Sequence, residues 1–112
     1  MSDKELLKLA AKAVGMHVKA HRVDADDNFT HLVVGQKFKP EKIDWNPLTD
    51  DGSALRLAVR LNIEFACFDD SQEVNSGVWS AYDCVTPYNG DKQAATRRAI
   101  VCVAAEIGRA MP

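Results

Sequence analysis

Apolar and polar positions alternate along this chain with two different periods, and the change of period divides it into elements. Ser2 and Glu5 form an S-x-x-E capping box. Leu6, Leu7, Ala10 and Val14 follow at helical spacing, with Lys4, Lys8 and Lys12 every fourth position on another face. Gly15 is placed to end that helix, predicted over 3–14. Residues 16–24 are rich in Val and His with approximate alternation, 30–36 are β-branched and apolar, and the polar run D-A-D-D-N-F separates them. This predicts a hairpin. Pro40 and Pro47 interrupt the next dozen residues, for which no regular structure is expected.

Thr49, Asp50 and Asp51 precede a second helical pattern, where acidic side chains suit the positive end of the helix dipole. Ala54, Leu55, Ala58 and Val59 are expected to face the core, with Leu61 at the edge and Arg56 and Arg60 on another face. I-E-F-A-C-F over 63–68 predicts a strand ended by Asp69, Asp70 and Ser71. Another strand is expected over 77–85, beginning as early as Val74. There Val78, Ser80, Tyr82 and Cys84 would face one way and Trp79, Ala81, Asp83 and Val85 the other. Pro87, Asn89 and Gly90 mark a loop, and Asp91 is placed to cap a last helix over 93–111. The middle of that helix, 99–105, is apolar on nearly every side, as in a helix buried on several flanks or covered by a partner subunit. The order helix, strand, strand, helix, strand, strand, helix predicts one α+β domain over 1–112, with a four-stranded, mainly antiparallel sheet packed by helices.

Composition narrows the class. The 112 residues are 46% hydrophobic and 27% charged, ordinary for a globular domain. Fourteen Lys and Arg against sixteen Asp and Glu leave a net charge of −2. That balance argues against a nucleic-acid partner, which usually requires a basic excess. No apolar run approaches a membrane span, and the charged amphipathic start is unlike a signal peptide, so a cytoplasmic protein with no membrane partner is expected. Cys67, Cys84 and Cys102 lie in apolar stretches without a C-x-x-C pair, and are expected to be small buried hydrophobes in a reducing compartment.

Candidate chemistry is sparse. His17 and His21 on one strand would stand about 13 Å apart, too far to hold one ion. A cross-strand pair with His31 depends on register. The run from Asp24 resembles a calcium loop only superficially: Phe29 stands where that motif needs glycine and Gly35 where it needs glutamate. Lys92, Arg97 and Arg98 at the start of the last helix are a candidate anion site, although Asp91 competes for the same backbone donors. No nucleophile elbow, P-loop, H-E-x-x-H or dinucleotide fingerprint occurs. A non-enzymatic protein without a cofactor is expected.

One string carries a resemblance. In W-N-P-L-T-D-D-G-S-A-L-R-L-A over 45–58, Pro47 holds Asn46 extended, Thr49, Asp50 and Asp51 cap a helix, and Trp45 could seal the core edge. The string resembles the hallmark of a small family encoded in phages and prophages, the phage ABA-sandwich domain proteins. A-A-T-R-R-A-I-V over 94–101, A-A-E-I-G over 104–108 and the first helix agree. The family often carries an acidic residue where this chain has Ser53, which alters the charge at the helix start. The resemblance implies an α/β/α sandwich and a phage accessory protein in the host bacterial cytoplasm, with no catalytic residues to transfer.

Such proteins often act by binding a host or phage protein. Trp45, Asn46, Asp50 and Asp51 would form that surface if Trp45 is exposed; a buried Trp beside a helix cap is the structural alternative. A second reading is a protein that binds or sequesters a small anionic, nucleotide-like ligand between Arg97, Arg98 and the Trp45 loop. DNA binding would require Lys4, Lys8 and Lys12 to gather with Arg56 and Arg60. A homodimer through the last helix or an edge strand is compatible with the pattern.

Overall fold

Ser2 opens helix α1 (Asp3–Ala13) as expected, its hydroxyl accepting the Glu5 N–H at 3.2 Å. The helix closes at Val14, and Gly15 follows with φ +74°, the left-handed conformation glycine adopts without a Cβ penalty. Leu6, Leu7, Ala10 and Val14 are all buried. The computed structural model describes residues 1–69, 71–76, 79–87 and 90–112; for 71, 72, 76 and 79–87 it describes the backbone alone.

The first hairpin forms as predicted. Strands β1 (His17–Val23) and β2 (Phe29–Gly35) pair antiparallel, and the Asp24 carboxylate accepts the backbone N–H groups of Asp26 and Asn28. That polar run is thus an Asx-type turn. The proline-rich connection contains a strand the sequence reading missed: β3 (Ile43–Trp45) pairs antiparallel with β2, Leu32 opposite Trp45. Both prolines lie outside the paired residues, so neither removes a ladder donor.

Helix α2 (Asp51–Arg60) is capped by Asp50 as its acidic start implied, but its rotation differs from the expectation. Ala54, Leu57 and Ala58 are buried, whereas Leu55 is 55% and Val59 69% exposed. Two stripes overlap in this sequence, 54/55/58/59 and 54/57/58/61. The second is the one that packs, with Leu61 against the core.

The second half departs further. Strand β4 (Ile63–Cys67) pairs with β5 (Ser71–Ser76), and β5 with β6 (Trp79–Pro87), all antiparallel. The expected single four-stranded sheet is therefore two three-stranded sheets, β1-β2-β3 and β4-β5-β6. Strand β5, S-Q-E-V-N-S, has Val74 as its sole apolar residue, so hydrophobic alternation could not reveal it. Val74 belongs to β5, opposite Cys84 of β6, rather than to the start of the last strand. Asp70, Gly77, Val78, Tyr88 and Asn89 lie outside the described residues, as do the side-chain directions expected for 78–85.

Asp91 caps helix α3 (Lys92–Ala110), accepting the Ala94 N–H at 3.0 Å. This helix packs against α1, α2 and the second sheet, burying Ile100, Val101, Val103 and Ile107 in one core with α1 and residues of both sheets. Its apolar middle is thus largely covered by its own chain. A Cβ on Gly108 would overlap the Leu9 carbonyl, so glycine is what lets α1 and α3 approach. The result is a single α+β domain. Among the described residues, no helix is long and apolar enough to cross a membrane.

Candidate functional site

The 45–53 corner is built from local hydrogen bonds. Trp45, at the end of β3, is 5% exposed and belongs to the core; the exposed Trp of the interface reading is therefore corrected. Asn46 ties two elements together, its amide donating to the Thr30 carbonyl at 2.8 Å and its side-chain oxygen accepting the Leu48 N–H at 3.0 Å. Its carbonyl accepts the N–H groups of Thr49 and Asp50, and Pro47 between them is fully buried. The Asp50 carboxylate accepts both the N–H and the hydroxyl of Ser53, at 2.8 and 2.7 Å. Those two bonds, hydroxyl first, hold the Asp50 carboxyl below the ordinary aspartate range, helped by the charges of Arg56 and Arg97. Ser53 thus acts as a donor where the family resemblance implies an acidic residue.

Arg97 joins this corner to α3. Its Nε donates to the Leu48 carbonyl at 2.8 Å and its Nη1 to Asp51 at 2.6 Å. Arg98 points elsewhere and pairs with Asp3 of α1 at 3.0 Å. The expected anion-binding trio therefore does not converge: Arg97 serves the corner, Arg98 serves α1, and Asp91 occupies a backbone donor at the helix start. Lys92 remains near Arg97, on the rim of a cleft of about 380 Å³ between α2, β4 and α3. Its floor is apolar, formed by Ala54, Leu55, Phe65 and Ile100.

Leu55 also borders a second apolar groove of about 430 Å³, with Val59, Met16 and the edge of Trp45. Exposed Leu55, Val59 and Phe65 thus form one continuous surface flanked by Arg56 and Arg60. Exposed large side chains are ordinary when scattered; joined across two grooves they form a surface suited to contact. The 54/55/58/59 stripe predicts a core-facing Leu55 and Val59, and so conceals this surface. The competing 54/57/58/61 stripe was the available signal.

The remaining expectations resolve locally. Cys67 is exposed and Cys102 half-buried, which corrects the assignment of every cysteine to the core; the Cys84 side chain is outside the described residues. His31 bonds to Asp44 at 3.1 Å and to Thr30 at 3.0 Å. The register sets Arg22, rather than a histidine, opposite His31. Among the described residues, no group of three or more His, Cys, Asp or Glu is placed to hold a metal ion. Comparison with known proteins finds no matching family model, no matching curated protein and no matching solved structure.

Proposed function

We propose that this chain is a phage or prophage accessory protein of the host bacterial cytoplasm that acts without catalysis, by binding a host or phage protein. The 45–58 string supports the origin through its resemblance to the phage ABA-sandwich proteins, and the α/β/α layering of that family is part of the proposal. The observation that carries the binding role is the joined apolar surface of Leu55, Val59 and Phe65. The contact surface thereby moves from the 45–51 corner, whose polar groups are largely engaged within the chain, to the outer face of α2. Arg56 and Arg60 flank that face, so its partner presents an apolar segment bordered by acidic side chains.

The test is affinity capture from host lysate with the unmodified protein and with a Leu55→Glu/Val59→Glu variant. Both positions are exposed, so the variant is expected to keep its circular-dichroism spectrum and thermal midpoint. A partner retained by the unmodified protein and lost by the variant supports the reading. Equal recovery by both, or no specific partner, overturns it.

A further inference from the structure

The connection between β2 and β3 concentrates positive charge that the net value conceals. Lys37, Lys39 and Lys42, with Arg60 from the end of α2, line a cleft of about 800 Å³. Lys19 of β1 reaches the same loop, its ammonium donating to the Lys39 carbonyl. Glu41 is the single carboxylate in the described lining. None of these five cations takes part in the ion pairs of the described residues. Five of the chain's fourteen Lys and Arg thus gather around one of its sixteen Asp and Glu. Five like charges held together against one carboxylate favour a polyanion that displaces their counterions.

An aromatic ring stands at the same loop. Phe38 is 92% exposed and adopts φ +66°, left-handed backbone that ordinarily selects glycine. The Lys39 N–H donates to the Gln36 carbonyl at 3.2 Å, which makes Phe38 the third residue of a tight turn. The Lys37 ammonium lies 5.3 Å from the ring centre. The ring adds nothing to the core, so neither burial nor turn geometry accounts for an aromatic residue here. Gly35 lets the loop lie close: a Cβ there would overlap the Glu41 carbonyl and crowd the Lys19 side chain.

We propose that this cleft binds single-stranded nucleic acid, with the lysines along the phosphate chain and Phe38 stacked on a base. A cationic groove combined with an exposed ring is how proteins hold single strands without reading sequence. A concave wall of lysines suits a strand lying in it better than a flat lipid surface. An acidic peptide would use the charge and leave the ring without a partner. The proposal is independent of the protein-binding face, and its variants leave the shared Arg60 intact.

Fluorescence anisotropy of a labelled oligothymidylate with the full chain tests this. Binding is expected at low salt, with a log–log salt slope of about −2 if about three phosphates are neutralised. Replacing Lys37, Lys39 and Lys42 together by Gln is expected to abolish it. Phe38→Ala should weaken it roughly 5- to 100-fold while keeping the salt slope. Phe38→Gly relieves the backbone conformation, so binding lost at an unlowered thermal midpoint separates the ring's role from folding. No binding at low salt overturns the proposal, as does affinity indifferent to Phe38. Equal or stronger binding to phosphatidylserine vesicles or to polyglutamate also overturns it, in favour of a lipid or an acidic protein.

Discussion

The 45–53 corner and the 36–42 loop flank the same short strand β3, yet they are built on opposite terms. In the corner, Asn46 engages both ends of its amide, Asp50 accepts two bonds from one residue, and Arg97 makes bonds to Leu48 and Asp51. In the loop, lysines lack ion-pair partners among the described residues, and a phenylalanine occupies a glycine-like conformation in solvent. The corner satisfies its polar groups internally and fixes α2. The loop leaves its charge and its ring directed outward. Conformational strain and unneutralised charge persist where the rest of the fold carries them, and such positions are where binding is sought first.

The largest test of this contrast is Trp45→Ala, which removes a buried indole from the corner. It should cost about 3–5 kcal/mol in urea unfolding, with the cavity adding to the lost burial. A loss near zero would mean that the corner does not anchor α2. Arg97→Ala is expected to cost about 2 kcal/mol, since charge-assisted bonds to Leu48 and Asp51 disappear together. Phe38→Gly probes the other side of the contrast and should stabilise by up to about 1 kcal/mol, partly offset by the freer unfolded chain. A clear drop in thermal midpoint would make the ring structural and erase the distinction.

The smallest effect concerns pH. The folded carboxyl of Asp50 titrates below its ordinary range, so its contribution is fully present above the unfolded value. It is lost as pH falls through the lowered folded value. The stability difference between the unmodified protein and Asp50→Ala, measured by urea unfolding across acidic pH, should therefore narrow as pH falls and stay constant toward neutrality.

The helices were the most legible elements, because Ser2, Asp50 and Asp91 announce their starts by side chains that bond the residue three positions on. The strands were less so. β3 is three residues long between prolines, and β5 carries one apolar side chain, so neither supplies a period to count. Helix α2 shows a different limit: its sequence holds two apolar stripes, and only packing against α3 decides between them. The exposed apolar face of α2 was hidden by that choice. The basic cleft was hidden for another reason: Lys37, Lys39 and Lys42 share one connection, but Lys19 and Arg60 join them from β1 and α2, and a net charge of −2 does not show the gathering. Trp45, Asn46, Asp50 and Asp51 do come together as their adjacency implied, but Trp45 faces inward.

The close approach of α1 and α3 at Gly108 also sets an order of events during synthesis. Leu6, Leu7 and Ala10 are made before the helix that covers them, which lies about 80 residues later, roughly 4–16 seconds at ribosomal speeds. Until then the stripe has only β1 and β2 to pack against, and its largest native contact is missing. The α1–α3 contact closes only after Gly108 has left the ribosome.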